Sequence, residues 1–176
     1  MPKKIFDQKK LAKMIDGLAR EIEADLRLEC EGLALIGIRN RGAHLATRLA
    51  KILGEKWGQE IPVGALDITL YRDDLSERAH QPVVKGTEIP FDVEGRCVVL
   101  VDDVLFTGRT VRAALDAIID FGRPQCIKLA VLIDRGFREL PIAPDYVAAT
   151  VETQREEMVE VRLREADETE EVLVVK

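Results

Sequence analysis

The sequence predicts an α/β fold, in which a mainly parallel β-sheet is flanked by helices and followed by a C-terminal β-hairpin. The main observation is that short apolar runs of strand length alternate with amphipathic helical patterns. The composition agrees, because 176 residues that are 47% apolar suffice for a single domain, residues 1–176, with a substantial core. Such alternation favours right-handed crossovers, and ligands of such sheets bind beyond the carboxyl ends of the strands.

The first part of the chain supplies two helices and two strands. Asp7 can cap a first helix, whose apolar stripe extends from Leu11 to Leu26 at spacings of three and four residues. Residues 33–38 form an apolar run typical of a buried strand, and residues 42–57 show a helical pattern. Residues 63–70 are predicted as the second strand.

A polar segment follows, residues 71–90, with two prolines and no periodicity. A loop of this length inside a compact domain is usually a lid or a binding element. Its cations are Arg72, Arg78 and Lys85.

The alternation then resumes. A third strand is predicted at residues 98–101 and a helix at 109–121, which Gly122-Arg123-Pro124 ends. Further strands are predicted at residues 127–133 and 145–149, and residues 158–163 and 172–175 form the predicted terminal hairpin.

The most informative stretch is residues 98–110, in which a strand, two carboxylates and a helix start follow one another. Asp102 and Asp103 come where the strand is expected to end, and Thr107-Gly108-Arg109-Thr110 opens the helix. The free N–H groups of a helix N-terminus bind anions, and neighbouring acids accept hydrogen bonds from hydroxyls. The pattern therefore suits a ribose 5-phosphate. Acid pairs at strand ends also occur without function, or hold Mg²⁺ as in response-regulator receivers.

Charge and cysteine content restrict the function classes. The formal net charge of −6 does not indicate a nucleic-acid binder, although the predicted first helix carries a basic face of Lys9, Lys10, Lys13, Arg20 and Arg27. Cys30, Cys97 and Cys126 are far apart in sequence and show no metal-ligand spacing. Cys97 and Cys126 are therefore interpreted as small buried hydrophobes in a reducing, cytoplasmic protein. No signal peptide or membrane span is visible.

With its loops assembled, the chain resembles the type I phosphoribosyltransferases, and within them the bifunctional pyrimidine operon attenuation protein/uracil phosphoribosyltransferase family. The strings that carry the likeness are residues 67–75, 98–113, 122–124, 129–136 and 138–142. The resemblance implies the type I phosphoribosyltransferase fold, with a small hood beside the main sheet. It also implies transfer of ribose 5-phosphate from phosphoribosyl pyrophosphate (PRPP) to uracil with Mg²⁺, giving UMP and pyrophosphate.

The resemblance assigns site residues by motif. Asp102, Asp103 and Arg72 are the expected catalytic residues, and no side chain is an obvious general base. The expected lid is the polar segment that carries Arg72, Arg78 and Lys85. The expected pyrophosphate loop is Arg39, Asn40, Arg41 and Gly42, with a cis peptide expected between Asn40 and Arg41. PRPP is expected to contact Asp102, Asp103, Val104, Leu105, Phe106, Thr107, Gly108, Arg109 and Thr110, and the base pocket to include Ile133, Asp134 and Arg135.

The family also binds the leader of the pyrimidine operon mRNA under control of UMP or UTP, and forms dimers or higher homo-oligomers. Arg138 and Arg20 are the RNA-binding candidates here. The match weakens where relatives carry Thr, Lys or Arg and this chain has Asp16, Ala143 and Ala149. The alternatives that remain are a nucleotide-sensing RNA-binding protein with weak catalysis and a phosphoribosyltransferase for another base.

Overall fold

The computed structural model describes residues 2–27, 29–30, 32–73 and 86–176. Its helices are α1 (Gln8–Leu26), α2 (Arg41–Trp57), α3 (Arg109–Ile119) and α4 (Arg164–Asp167). Its strands are β1 (Lys3–Phe6), β2 (Leu33–Ile38), β3 (Val63–Leu66), β4 (Cys97–Leu105), β5 (Cys126–Asp134), β6 (Tyr146–Thr150), β7 (Met158–Arg162) and β8 (Glu171–Val175).

A parallel five-stranded sheet with the order β3-β2-β4-β5-β6 forms the centre of the molecule. The chain proceeds from β2 to β3 on one side and from β4 to β6 on the other, so the strand order reverses between β2 and β4. Ligands of open α/β sheets bind at such a reversal, beyond the carboxyl ends of the strands. The predicted α/β fold is confirmed.

Both faces of the sheet are covered by apolar helix faces. On one face α1 and α2 pack Leu18, Ile22 and Leu49 against the strands, and on the other α3 packs Val111 and Ile118. The predicted cap of α1 is present, since the Lys10 N–H donates to Asp7 Oδ1 at 2.8 Å. Among the described helices, none combines the length and apolarity that crossing a bilayer requires.

The terminal hairpin belongs to a larger unit than predicted. The strands β7 and β8 pair antiparallel, and β1, which the sequence pattern did not indicate, pairs with β8. The reason is that β1 is four residues long and half polar, so it has no periodicity of its own. We call this three-stranded sheet together with α4 the hood.

Two predicted strand ends were wrong. The predicted second strand stops at Leu66, because residues 69–71 turn into a short 3₁₀ helix. The strand β4 continues to Leu105, so Asp102 and Asp103 lie inside it instead of after it. Asp102 and Asp103 stay in the strand because β4 pairs with β5 as far as Leu105, which lies opposite Asp134.

The interpretation of Cys97 and Cys126 as small buried hydrophobes was wrong for Cys97, which is buried but bonded to another cysteine. The sulfur atoms of Cys30, Cys97 and Cys126 all lie within 4.8 Å of one another, and Cys30 and Cys97 form a disulfide. Sequence spacing concealed this because β4 and β5 pair in register, with Cys97 opposite Cys126.

Candidate functional site

A cavity of about 350 Å³ lies where β4 gives way to α3. Its lining combines two carboxylates, Asp102 and Glu139, with the turn of residues 104–111 and with Arg72. A larger cavity of about 610 Å³ lies beside α2 and β3, with Arg39, His44 and Glu88 in its wall. The larger cavity contains neither Asp102 nor the start of α3, so the smaller cavity is the better candidate for a sugar-phosphate site.

The two acids face different surroundings because adjacent residues of a strand point to opposite faces. Asp102 is 6% exposed and lies on the α3 side, where its Oδ1 accepts a hydrogen bond from the Asp103 N–H at 2.9 Å. Burial, and then the neighbouring charge of Asp103, raise the pKa of the Asp102 carboxyl well above its usual range. Asp103 is half-buried on the α2 side. The pair therefore presents a carboxylate to each side of the strand end.

The start of α3 provides an anion site next to Asp102. Gly108 precedes the helix with φ +92°, a conformation that favours glycine, and no side chain caps the helix from that position. Thr107 Oγ1 accepts from the Arg109 N–H at 3.3 Å, while the other early N–H groups of a helix have no intrahelical partner. The turn and the acid thus lie on one wall, as residues 102–110 predict.

The predicted pyrophosphate loop, residues 39–42, lies directly against the end of β4. A Cβ atom on Gly42 would be 2.5 Å from the Val101 carbonyl oxygen, and one on Gly37 would be 2.2 Å from the Gly42 carbonyl oxygen. Only glycine permits this approach. The loop contains a non-proline cis peptide, but at Arg39–Asn40 and not at the expected Asn40–Arg41, so that placement was wrong by one bond.

The cations of this loop have partners within the protein. Arg41 makes a two-bonded ion pair with Asp167 of the hood, at 3.1 and 2.7 Å, and is 30% exposed. The hydrogen bond to Asp167 raises the pKa of Arg41, and the charge of Asp103 adds to it. Arg39 donates to the Gly86 carbonyl at 2.7 Å. Arg41 therefore joins the loop to the hood.

The polar segment after β3 is anchored at both sides of the part that the structure does not describe. Asp67 Oδ1 accepts from the Thr69 N–H at 2.9 Å and Asp67 Oδ2 from the Gly86 N–H at 3.1 Å. Asp73 pairs with Arg109 of α3 at 2.7 Å. Sequence reasoning missed Asp67, although an acid two residues before a Thr after a strand end is an Asx-turn signal.

The predicted lid cations divide into two groups. Arg72 lines the cavity beside Asp102 and the α3 turn. Arg78 and Lys85 lie outside the described residues.

The predicted base-pocket residues have mostly internal contacts. Ile133 is fully buried, and Asp134 accepts from the Gly136 N–H at 2.9 Å and from Arg138 Nη2 at 2.6 Å. Burial alone would raise the pKa of Asp134, but these two donors bring it below its usual value. Arg135 is 6% exposed, and its guanidinium lies 4.1 Å from the centre of the Phe106 ring.

The RNA-binding candidates also differ in their surroundings. Arg138 is directed inward, donating to Asp134 and to the Phe106 carbonyl at 2.8 Å, and its side chain is 23% exposed. Arg20 is exposed and pairs with Asp16 on the same helix. Lys10 and Lys13 line a groove between α1 and β6 that includes Ala148.

Comparisons with known proteins agree with this geometry. The phosphoribosyl transferase domain family matches residues 2–166. The chain is 55% identical to the bifunctional protein PyrR of Pelotomaculum thermopropionicum over 172 residues, 98% of this chain and 94% of the relative. It is 61% identical to the bifunctional protein PyrR of Thermus aquaticus over 137 residues, 78% of this chain and 76% of that one.

Solved structures show the same fold at low sequence identity. A ternary substrate complex of Trypanosoma cruzi hypoxanthine phosphoribosyltransferase aligns with a TM-score of 0.75 at 20% identity, covering 99% of this chain and 95% of that one. A hypoxanthine-guanine phosphoribosyltransferase of Bacillus anthracis aligns with a TM-score of 0.69 at 18% identity, covering 99% and 97%.

Proposed function

The chain belongs to the bifunctional PyrR family of phosphoribosyltransferases, and from this premise we propose how its own residues carry the reaction. The protein is a uracil phosphoribosyltransferase, which converts uracil and PRPP to UMP and pyrophosphate, and a regulator of pyrimidine operon transcription. The observation that supports the site assignment best is that Asp102, Arg72 and the start of α3 share one cavity.

In the proposed mechanism the α3 turn holds the 5-phosphate of PRPP. The N–H groups of residues 107–110 and the hydroxyls of Thr107 and Thr110 are donors of the kind a phosphate needs. The ribose hydroxyls donate to Asp102 and Asp103, so both carboxylates are near the sugar. When the C1–O bond to pyrophosphate breaks, positive charge develops on the ribose, and the two carboxylates stabilise it.

The leaving pyrophosphate takes the bonding electron pair, and the proposed loop, residues 39–42, receives it. Gly42 lets backbone N–H groups approach closely, as its contact with Val101 requires. Arg72 contributes positive charge from the lid side. Because the lid would exclude water, the activated ribose reacts with N1 of the base and not with solvent, and the proton that N1 loses passes to an oxygen of the departing pyrophosphate.

The carboxylates also fit the magnesium that accompanies PRPP. Mg²⁺ prefers oxygen ligands, keeps several waters and uses one or two carboxylates together with substrate phosphates. Asp102 and Asp103 would supply those oxygens, and the bound ion would neutralise charge on the departing pyrophosphate.

We propose that the groups facing uracil lie just after the predicted base-pocket residues Ile133 and Asp134. The backbone of Ile133 and Asp134 pairs with β4 on one side and β6 on the other, so it is occupied. The chain leaves the sheet at Gly136 and Phe137, both with positive φ. The N–H groups of Arg135 and Gly136 are also engaged, with the Leu105 carbonyl and with Asp134. We propose that the Phe137 N–H and the C=O groups of Arg135 and Phe137 recognise the base, and that the Arg135 guanidinium stacked on Phe106 supports this turn.

The direct test of the reaction is base-dependent pyrophosphate release from PRPP, measured with uracil, cytosine, hypoxanthine and guanine. Uracil-dependent formation of UMP is expected, with at least tenfold lower kcat/KM for the other bases. A purine used better than uracil would identify the alternative, a transferase for another base.

For RNA binding we propose the α1–β6 face. Lys10 and Lys13 flank Ala148, next to the position where relatives commonly carry a lysine, so they can replace its charge. Filter binding of the native leader RNA over a salt series tests this face. Lys10→Gln with Lys13→Gln should lower affinity uniformly and reduce the salt slope by about one to two units, since each lost phosphate contact removes about 0.7 to 0.9. If the wild-type protein binds the leader RNA no more tightly than unrelated RNA, the proposed RNA-binding face is wrong.

We also propose a homo-oligomer in the cytoplasm, where PRPP and mRNA are found. Exposed apolar side chains near the 3₁₀ turn and the end of α3 offer an interface: Leu70 is 74% exposed, Ile119 63% and Phe121 46%. Light scattering of the wild type and of Ile119→Glu tests this interface, and a monomeric wild type would contradict it.

A further inference from the structure

Three cysteines from separate parts of the chain meet at the end of the main sheet opposite the acid pair. Cys30 follows α1, Cys97 begins β4 and Cys126 begins β5. Their three sulfur atoms lie within 4.8 Å of one another. These are the only cysteines in the 176-residue sequence, so the fold has brought every sulfhydryl of the protein to one place.

Once the disulfide is reduced, the three sulfurs are close enough together to form a metal–thiolate centre. A tetrahedral Zn²⁺ ion with Zn–S bonds of about 2.3 Å keeps its sulfurs about 3.8 Å apart. The three sulfurs lie within 4.8 Å of one another, so after reduction the Cys30 and Cys97 sulfurs have to separate from bonding distance, and the Cys126 sulfur has to move by about an ångström or less. Thiolates select Zn²⁺ and other soft ions over Mg²⁺, so this centre and the substrate site prefer different metals.

The surroundings allow an ion to enter and to be held. Cys97 is 2% exposed, whereas Cys30 and Cys126 are half-buried and open the cluster to solvent. Cys97 and Cys126 are fixed by paired strands, while Cys30 lies outside helix and strand and can adjust. Gln125 Oε1, 3.7 Å from the Cys97 sulfur, adds an oxygen beside the cluster.

We propose that Cys30, Cys97 and Cys126 bind one Zn²⁺-type ion in the reduced protein, with the fourth coordination position open to water. The disulfide between Cys30 and Cys97 excludes this state, because it withdraws two of the three ligands. A dithiol reductant converts that disulfide to two thiols and is itself oxidised to a disulfide. The three thiols then release their protons to solvent as the ion binds.

The test is a Co²⁺ titration of the full chain, reduced with a phosphine under anaerobic conditions. One equivalent should bind with sulfur-to-cobalt charge-transfer absorption in the near ultraviolet, and Zn²⁺ should displace it. With no other cysteine in the chain, that absorption can come only from these residues. Absence of the absorption in the reduced wild type overturns the proposal.

Variants decide whether all three sulfurs are ligands. Cys126→Ser leaves Cys30 and Cys97 in place and should weaken Co²⁺ binding at least tenfold, and Cys30→Ser should do the same. Unchanged affinity in either variant overturns the three-thiolate site. The oxidised wild type is the matched control and should give no charge-transfer band.

UMP formation by Cys126→Ser serves as the fold control, since Cys126 lies at the far end of β5 from the substrate cavity. Wild-type kcat and KM are expected for this variant. The metal titration and the uracil reaction are thus separate readouts, and either can fail without the other.

Discussion

The phosphate side of the site and its hood side are built in opposite ways. On the phosphate side, acids, turn and helix start come from consecutive residues, 102–110, and their order follows the local pattern although β4 runs on through both acids. On the hood side, Arg41 meets Asp167 and Arg48 meets Glu165 and Glu170, partners more than a hundred residues away. The functional groups on the phosphate side therefore come from one short segment, whereas the cations on the hood side are held in ion pairs that only the tertiary fold brings together.

The largest expected effect is on the phosphate side. Asp102→Asn and Asp103→Asn should each reduce UMP formation about 10²-fold or more, and together abolish it, because they remove charge that stabilises the ribose cation. Asp116→Asn, an exposed acid on α3, is the matched control and should remain active. Near-normal turnover of the double variant would refute the assigned role.

Asp102→Asn should lose activity without losing stability. Since burial raises the pKa of Asp102, the folded protein holds this proton more tightly than the unfolded chain. The free energy of unfolding therefore falls as the pH rises from about 3.9, the unfolded value, through the folded pKa. Asparagine removes that loss, so at pH 7 its Tm should equal or exceed that of the wild type. A lower Tm would show that the carboxylate stabilises the fold.

Glycine substitutions test the contact between the loop of residues 39–42 and β4. Gly42→Ala should destabilise the protein by about 2 kcal/mol and abolish transfer, since its Cβ would lie 2.5 Å from the Val101 carbonyl oxygen. Gly17→Ala on α1 is the control: apart from its own stretch of helix, no atom lies within 4 Å of its added Cβ. Helix propensity predicts a gain there of up to about 1 kcal/mol. Chemical denaturation measures both, and equal effects would contradict the close approach.

On the hood side, Asp167→Asn separates an anchoring role of Arg41 from a ligand-binding one. It should lower stability by about 1 kcal/mol at pH 7 while changing the KM for PRPP less than threefold. The Arg41 hydrogen bond lowers the pKa of Asp167, so its contribution is present above the unfolded pKa and lost as the pH falls through the folded one. The difference between variant and wild type should thus shrink below about pH 4.

Glu165→Gln, which breaks the pair with Arg48, is the control for Asp167→Asn because it affects the hood away from the loop. A large fall in KM for PRPP in Asp167→Asn alone would mean that the released Arg41 binds pyrophosphate.

The smallest effect is expected at Arg109, an exposed cation at the start of α3 on the phosphate side. Its side chain is 44% exposed and pairs with Asp73 and Glu139. Arg109→Gln should lower the Tm only slightly, and by less at high salt, because exposed ion pairs are screened. Thermal melts at low and high ionic strength measure this, with the exposed Lys51→Gln as reference. A salt-independent fall in Tm as large as that of Gly42→Ala would contradict it.

The same contrast explains what the sequence predicted. Helix faces, the β2 and β5 strands and the order of the site motif follow from periodicity and from the strand–turn–helix order of residues 98–110. The Arg41–Asp167 pair, the placement of β1 beside β8 and the meeting of three cysteines depend on distant segments that share no pattern. The sequence also could not predict that Arg138 points inward, because the same basic residue can face RNA or pair with a carboxylate such as Asp134.

The contiguity of residues 102–110 has an evolutionary consequence. Because the proposed PRPP contacts lie in one short segment, they can be inherited together when the surrounding segments diverge or recombine. With the base recognised at residues 135–137, as proposed, base preference can change there while the proposed PRPP contacts of residues 102–110 are kept. One ancestral segment could in this way serve many nucleobases.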